Sequence, residues 1–281
     1  MTTVGILHPG SMGAAVAGQA ALGGAEVLWC PDRRSSATQK RAARYGLTPV
    51  SSLAELSARA DIILSICPPA AAREVAEAVA ETAFSGIYVE GNAVAPTSTR
   101  TIKDILTAAG ACLVDGALVG SPPSEVKGPR FYLAGPTKAV DTVAQLFTNS
   151  AVDTHFLSGE LGKASALKLS YSSYQKTSRV LAAVAYALAR DHGVEQELVE
   201  IANQRTTSYL SEIEYIPKTH ARSWRWGSEM REAEQAINES DLPAHLVSAA
   251  ARLMEHWKLS SDFPSVEESL DSLHCPRDVS R

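Results

Sequence analysis

The stretch Val4-Gly5-Ile6-Leu7-His8-Pro9-Gly10-Ser11-Met12-Gly13 decides the fold of the N-terminal half. An apolar strand enters a glycine turn, and the turn opens a helix of small residues at positions 11–22. Gly10 would let the backbone approach a pyrophosphate, and Gly13 would let the helix pack closely on the strand. The helix start offers N–H groups and a positive dipole end to phosphates. The stretch therefore predicts a dinucleotide-binding turn.

The match is a variant, because His8 occupies the position of the first glycine in G-x-G-x-x-G. A glycine turn between strand and helix also occurs in doubly wound proteins that bind no nucleotide, so the loop alone leaves both interpretations open. If the loop binds a cofactor, the predicted contacts come from His8, Pro9, Gly10, Ser11, Met12 and Gly13.

The residues after the second predicted strand favour NADP over NAD. An acidic residue normally binds the ribose 2′-hydroxyl of NAD there, whereas this chain has Cys30, followed by Pro31-Asp32-Arg33-Arg34-Ser35. The two guanidinium groups and the hydroxyl of Arg33, Arg34 and Ser35 suit a 2′-phosphate. Asp32 argues against this, since a carboxylate directed at the ribose would favour NAD. A third interpretation is that the three charges lie in a solvated loop.

Alternating segments from residue 3 to about 157 predict a parallel sheet covered by helices. Predicted strands span residues 3–7, 26–30, 62–67, 86–90, 111–115, 130–134 and 152–156. Predicted helices span residues 11–22, 35–45, 53–58, 70–82, 96–109 and 138–147.

The strand pattern stops after Gly159, and the rest of the chain is predicted to be helical. Residues 162–192 are predicted to form one long helix that ends at Gly193, and roughly thirty residues would span about 45 Å. Further helices follow over residues 196–261, and the polar segment from Phe263 predicts a loose tail. The fold class is therefore α/β, with a nucleotide-binding domain at residues 1–159 and a helical substrate and dimerisation domain at residues 160–281.

Composition excludes several functional classes. A length of 281 residues predicts two domains. A formal net charge of -5 without a long run of Lys and Arg excludes nucleic acid as an expected partner. The chain has no membrane-length apolar run and no basic-then-apolar leader, so we expect a cytoplasmic protein that does not bind membranes. The four cysteines are far apart without metal-ligand spacing, so we expect free thiols and no metal.

Five segments, in order, resemble the β-hydroxyacid dehydrogenase superfamily, which includes 3-hydroxyisobutyrate dehydrogenase and the cofactor domain of 6-phosphogluconate dehydrogenase. They are Gly10-Ser11-Met12-Gly13, Ser65-Ile66-Cys67-Pro68-Pro69, Glu90-Gly91-Asn92-Ala93-Val94-Ala95-Pro96-Thr97, Val114-Asp115-Gly116-Ala117-Leu118-Val119-Gly120-Ser121 and Gly162-Lys163-Ala164-Ser165-Ala166-Leu167-Lys168. The chain is most similar to a branch that carries a C-terminal domain of unknown function. The resemblance implies a Rossmann-type sheet, a long linking helix, a homodimer and an active site between the domains.

The resemblance also implies roles for individual residues. It predicts further cofactor contacts at Cys67, Pro68, Asn92 and Val94. It predicts substrate contacts at Val119, Gly120, Ser121, Ser172, Trp226 and Glu229. The usual serine of the substrate loop is replaced by Val119, which argues against a plain hydroxy acid as the substrate. For the tryptophan-rich segment near Trp226, packing in the core or in a dimer is an equally good interpretation.

Lys168 is the predicted catalytic residue, because it matches the lysine of the family pattern. Hydride transfer to a carbonyl leaves negative charge on oxygen, so the site needs a group that can donate a proton. Without the resemblance, a lysine in a long helix would be interpreted as part of a solvated face, and we expect Lys163 and Lys176 to be of that kind. The family's asparagine one turn later is replaced by Tyr171 and Ser172, and Tyr171 could also polarise a substrate oxygen.

Three functions remain open at this point. The first is an NADP-dependent oxidoreductase that acts on a small carbonyl or hydroxy substrate, with Lys168 as general acid and base. The second is an imine reductase on the same fold, which Lys168 argues against and Tyr171 keeps open. The third is a non-catalytic NADP(H)-binding sensor, in which the lysine would be dispensable.

Overall fold

The computed structural model describes residues 1–124, 127–191, 193–204, 212–239, 244–257 and 264–274. The chain divides into two compact units, Met1–Leu169 and Ser170–Arg281. The dividing point falls inside the long helix α7, Lys163–Asp191. Among the helices that the structure describes, none combines the length and the apolar character needed to cross a bilayer.

The first unit alternates strands and helices. Its strands are β1 Thr3–Ile6, β2 Glu26–Trp29, β3 Thr48–Pro49, β4 Ile62–Ser65, β5 Ile87–Glu90, β6 Cys112–Val119, β7 Arg130–Ala134 and β8 Asp153–Phe156. Its helices before α7 are α1 Ser11–Leu22, α2 Ser36–Arg44, α3 Leu53–Arg59, α4 Ala72–Ala80, α5 Pro96–Ala108 and α6 Thr137–Gln145, with a short 3-10 helix at Pro69–Ala71.

In the part of the chain that the structure describes, the strands form one sheet in the order β3-β2-β1-β4-β5-β6-β7-β8. Strands β1 to β6 pair in parallel, whereas β7 runs antiparallel to β6 and parallel to β8. The strand order reverses between β1 and β4. Ligands of open α/β sheets bind at such a reversal, beyond the carboxyl ends of the strands. The fold therefore directs attention to the loops after β1, β4, β5 and β6.

Both faces of the sheet are covered by apolar packing. One buried cluster includes Val4, Val89 and Val114, and the other includes Ile63 and Tyr88. Neighbouring residues of β5 thus point to opposite faces, as expected for a sheet with helices on both sides. The small residues of α1 allow this helix to lie close to the sheet.

The predicted Rossmann-type sheet is confirmed, and the predicted strands differ from the observed ones mainly at their ends. Strand β3 is missed by the sequence prediction, because its two residues are too few to show a pattern. The strand predicted to end at residue 115 continues to Val119, because β6 pairs with β7 over Asp115 to Val119. Gly116 makes the extension possible, since a side chain there would overlap the ring of Phe131.

The second unit is helical. After α7 it contains α8 Glu195–Asn203, α9 Tyr215–His220, α10 Ser223–Glu239, α11 His245–His256 and α12 Val266–Asp271. Helices α10 and α11 pack against each other, and the Arg231 guanidinium on α10 binds the Glu255 carboxylate on α11 at 2.6 Å.

The prediction of a loose tail from residue 263 is wrong for residues 264–274. Ser265 and Glu268 form a reciprocal capping box that starts α12. The Trp257 indole N–H donates to the carbonyl of Ser269 at 3.0 Å, and its ring stacks on His220. The segment is polar in sequence, but it is ordered because its polar groups satisfy a buried tryptophan and a buried histidine. Cys275 lies outside the described residues.

Candidate cofactor and active site

The glycine loop leaves open space beside Gly10, whereas Gly13 is packed tightly against the protein backbone. Gly10 precedes α1, donates its N–H to the His8 carbonyl at 2.7 Å and accepts from the Ala14 N–H at 2.9 Å. A Cβ atom added at Gly10 would meet nothing within 4 Å, whereas one added at Gly13 would overlap the His8 carbonyl oxygen. Open space beside the backbone at the start of a helix fits a pyrophosphate, so the loop has the form that a dinucleotide needs.

His8 contributes a neutral ring to this loop. Burial, and secondarily the Arg34 guanidinium, lowers its pKa to about 4. Its Nδ1 is buried, and no described group forms a hydrogen bond with it. At neutral pH the imidazole therefore adds no positive charge to the loop.

The low pKa of His8 predicts acid-sensitive stability. The unfolded chain protonates His8 near its ordinary value of 6.5, whereas the folded chain resists protonation until about 4. The contribution of His8 to the free energy of unfolding is therefore fully present above its unfolded pKa of 6.5. It falls as the pH is lowered, by about 2 kcal/mol at pH 5. In urea unfolding, His8→Gln is expected to lack this loss between pH 7 and 5. Above pH 7 the curves of the two proteins should run parallel, and parallel curves down to pH 5 would contradict the assignment.

In the charged loop after β2, Arg33 is exposed, whereas Arg34 and Ser35 are engaged in hydrogen bonds within the protein. Arg33 has a left-handed backbone with a φ of 56°, and its side chain is 93% exposed and lies 3.7 Å from the Asp32 carboxylate. Arg34 donates to the Leu7 carbonyl at 3.3 Å and is partly buried. The Ser35 hydroxyl accepts from the Thr38 N–H at 3.3 Å and caps α2. Asp32 thus faces Arg33, which is the most accessible cation of the loop.

The sequence prediction did not include Arg41, which belongs to the same group. From α2 it donates to the carbonyl of Pro9, inside the glycine loop, at 3.3 Å and to the Thr38 hydroxyl at 3.1 Å. Arg41 therefore brings a second cation to the glycine loop from another element. The amphipathic pattern of α2 places Arg41 on the polar face of the helix. The residues around Arg41 do not indicate that this face contacts Pro9, which lies 32 positions earlier in the chain.

The loops after β4 and β5 are tied together by Asn92. Its side chain accepts from the Cys67 N–H at 2.5 Å and donates to the Ser65 hydroxyl at 3.1 Å, and its N–H donates to the Glu90 carboxylate at 3.1 Å. The predicted cofactor contacts Cys67, Pro68, Asn92 and Val94 thus lie on two joined loops at the carboxyl edge of the sheet, with Asn92 and Val94 buried.

Cys67 is held as a neutral thiol. Burial, and secondarily the Glu90 carboxylate, raises its pKa to about 12. A protonated thiol is a poor nucleophile and adds no charge to the site. Cys67 can therefore serve the loop by packing and not by covalent chemistry.

Lys168 lies at the same edge of the sheet. It is half-buried in the second turn of α7, and its Nζ donates to the Leu118 carbonyl at 2.8 Å. Leu118 is three residues beyond Asp115, which pairs with Glu90 at the end of β5. The predicted substrate loop Val119, Gly120 and Ser121 follows at once, with Gly120 and Ser121 exposed and Gly120 at a φ of 131°. One proton-donating amine thus lies beside the loop that follows β6.

The remaining predicted residues belong to the second unit. Tyr171 is 44% exposed, and its hydroxyl accepts from the Gln175 amide at 3.1 Å, whereas Ser172 is buried. Trp226 and Glu229 lie together: Glu229 forms an ion pair with Lys176, whose amine is 5.3 Å from the Trp226 ring centre.

The expectation that Lys176 is solvated is wrong, whereas Lys163 is exposed as expected. Lys176 is only 5% exposed. The charge remains tolerable because a carboxylate and an aromatic face accompany it. Sequence pattern did not indicate this, because both partners lie about fifty residues away on α10.

Residues 3–159, more than half of the chain, match the family model of the NAD binding domain of 6-phosphogluconate dehydrogenase. The chain belongs to this family. Residues 189–257 match a second family model, the domain of unknown function DUF1932. The superfamily resemblance and the assignment to a branch with a C-terminal domain of unknown function are therefore confirmed. An uncharacterised 28.5 kDa protein of Methanothermus fervidus is 24% identical over 233 residues, which cover 82% of this chain and 89% of that one.

Solved structures share the fold of this chain. The 3-hydroxyisobutyrate dehydrogenase of Mycobacterium tuberculosis, studied with L-serine, has a TM-score of 0.76 at 18% identity, covering 98% of this chain and 100% of that one. An imine reductase from Bacillus cereus BAG3X2 has a TM-score of 0.61 at 16% identity, covering 90% and 92%. The chain thus has the fold of NAD(P)-dependent oxidoreductases.

Proposed function

We propose that this protein is an NADP-dependent oxidoreductase that transfers a hydride between the nicotinamide and a small carbonyl or hydroxy substrate, with Lys168 as general acid and base. The observation that carries the proposal is the half-buried Lys168 amine at the end of β6, on the sheet edge that also bears the glycine loop. Reduction of a carbonyl group needs a proton donor close to the bound nicotinamide. Lys168 and the glycine loop would provide these two functions at the same edge of the sheet.

The residues present fit the cofactor. The first N–H groups of α1 have no partner within the helix and would bind the pyrophosphate, with Gly10 leaving space for its approach. The joined loops after β4 and β5 would support the rest of the dinucleotide. When bound, the reduced nicotinamide supplies a hydride.

Lys168 would manage the proton of the reaction. As the carbonyl carbon gains a hydride, its oxygen gains negative charge, and the Lys168 Nζ–H stabilises that charge and transfers a proton to the oxygen. In the oxidative direction the neutral amine takes the proton back. The bond to the Leu118 carbonyl directs the amine and restricts its rotation before a substrate binds.

The NADP preference rests on cations near the predicted ribose site. The exposed Arg33 would bind a 2′-phosphate through a charge-assisted hydrogen bond, and Arg41 adds positive charge at the glycine loop. Arg33→Ala is expected to raise the NADPH dissociation constant about tenfold and to leave that for NADH unchanged. Isothermal titration with both cofactors measures this.

Arg44→Ala is a matched control for Arg33→Ala, because Arg44 is an exposed arginine at the far end of α2, beside the Tyr45 ring. It should leave both dissociation constants unchanged. If Arg33→Ala weakened NADPH and NADH equally, Arg33 would not distinguish the two cofactors and the preference would lose its support.

A substrate panel tests the function. NADPH oxidation is followed with β-keto acids, aldehydes and cyclic imines, and turnover of carbonyl compounds is expected. Turnover of imines alone would move the protein to imine reduction, the alternative favoured by the exposed Tyr171 hydroxyl. Tight NADPH binding without turnover of any compound would overturn the enzymatic proposal in favour of a sensor.

A further inference from the structure

The buried carboxylate of Asp115 joins β6 to the first turn of α7. Its Oδ2 accepts from the N–H groups of Gly162, Ala164 and Ser165 at 2.8, 3.0 and 3.2 Å. Its Oδ1 accepts from the Ser165 hydroxyl at 2.6 Å. The Ser165 hydroxyl also bonds to Thr99 on α5 at 2.9 Å. Four donors thus converge on one fully buried side chain.

This arrangement suits an ionised carboxylate. Burial raises the pKa of Asp115, and the hydrogen bonds from Ser165, Gly162 and Ala164 oppose that shift. The first N–H groups of a helix have no partners within it, and a carboxylate at that end also stabilises the helix dipole. A usual helix cap comes from the residue just before the helix. Here the cap comes from a strand about fifty residues earlier, so it fixes one element against another.

The two contacts between β6 and α7 act at different points of both elements. Asp115 and Leu118 are three residues apart on β6, about 10 Å along the strand. Ser165 and Lys168 are three residues apart on α7, about 4.5 Å along the helix. A slip of one residue would move α7 by about 1.5 Å and turn it by about 100°. Lys168 would then point away from the Leu118 carbonyl.

We propose that Asp115 is a positioning residue for Lys168: its carboxylate fixes the start of α7 on β6 so that the amine meets the carbonyl at the end of the strand. That this positioning matters for catalysis rests on the proposed function. That Asp115 positions the Lys168 amine does not depend on the reaction, and the labelling test below does not use the reaction either. The competing view is that Asp115 only stabilises the fold.

The test measures the reactivity of Lys168 in the free, full-length protein. Acetic anhydride labels the amine, and mass spectrometry gives the labelling rate between pH 7 and 10, with the exposed Lys138 as internal reference. In Asp115→Asn the side chain loses its negative charge and one of its two accepting oxygens, so the three helix N–H bonds and the bond from the Ser165 hydroxyl cannot all be kept at full strength. Labelling of Lys168 is expected to rise about fivefold relative to Lys138, the factor that corresponds to one lost hydrogen bond.

Ser52→Ala provides the matched control, because Ser52 caps α3 through the Glu55 N–H at 3.1 Å in the same unit. It also removes a helix cap, but it should leave Lys168 labelling unchanged. If Asp115→Asn behaves like Ser52→Ala, the positioning role is wrong. Should Asp115→Asn fail to fold, Ser165→Ala removes the hydroxyl bonds to Asp115 and Thr99 but keeps the three helix N–H bonds to the carboxylate, and it is expected to give a smaller rise in the same direction. An unchanged rate in that variant would also overturn the proposal.

Measuring kcat together with the labelling rate distinguishes failure of the positioning role from failure of the proposed function. With a substrate that the wild type reduces, Asp115→Asn is expected to lower kcat about tenfold while the NADPH dissociation constant stays unchanged. Faster labelling with unchanged kcat would mean that Asp115 positions a lysine that the reaction does not use, so the proposed role of Lys168 would fail and the positioning would stand.

Discussion

Lys168→Met is expected to lower turnover by roughly 10²- to 10⁴-fold, the usual contribution of a positioned general acid. Methionine keeps an unbranched chain of similar length in the half-buried position beside Leu118, but it has no proton to donate. Steady-state NADPH oxidation with the best carbonyl substrate gives the loss in kcat. NADPH titration should give the wild-type dissociation constant, because the substituted group acts on the substrate oxygen.

Lys163→Met is the control for this substitution. Lys163 lies in the first turn of the same helix, is exposed, and its amine donates to the Ser158 carbonyl. Its loss should leave kcat within about twofold of the wild type, as for a surface change of up to about 0.5 kcal/mol. Equal turnover by Lys168→Met and the wild type would exclude Lys168 as the proton donor.

Gly10→Ala is expected to weaken NADPH binding about 100-fold, or about 2.7 kcal/mol, without destabilising the fold. Gly10 has a φ of -69° and a ψ of -168°, which alanine adopts readily, and the added methyl group would contact no protein atom within 4 Å. The methyl group would instead fill the space through which a pyrophosphate approaches the backbone. Fluorescence titration measures the affinity, and urea unfolding should agree with the wild type within about 0.5 kcal/mol.

Gly13→Ala makes the opposite comparison. Its methyl group would overlap the His8 carbonyl oxygen, so the protein itself must shift, at a cost of about 1–3 kcal/mol in unfolding free energy. The two variants place the same methyl group three residues apart, one toward the proposed ligand and one toward the backbone. If Gly10→Ala bound NADPH as tightly as the wild type, the cofactor would not lie on this loop.

Much of the first unit could be predicted from its sequence because its signals are local. The turn before α1 requires glycine at particular positions, and α1 itself starts and ends where its small residues predict. Strand β7 also matches its predicted bounds, since a run of apolar residues between turn residues defines it. Family motifs added the position of Lys168.

Predictions were wrong or missing where distant residues decide the outcome. Lys176 has the sequence pattern of a surface lysine, yet Glu229 and Trp226 on another helix make its burial possible. Arg41 has the pattern of an exposed helix residue, yet its guanidinium reaches Pro9. The polar segment after residue 263 contains α12, whose Ser269 carbonyl and the adjacent Ser272 hydroxyl accept hydrogen bonds from the buried Trp257 indole N–H.

The sequence by itself determined the glycine turn, the alternation of strands and helices in the first unit apart from the two-residue β3, and the family pattern around Lys168. Each of these depends on short runs of neighbouring residues. Tertiary structure alone decided that Asp115 caps α7 and that Lys168 meets the Leu118 carbonyl. Both contacts join residues about fifty positions apart, and only the packing of a helix against a strand brings such groups within hydrogen-bond distance.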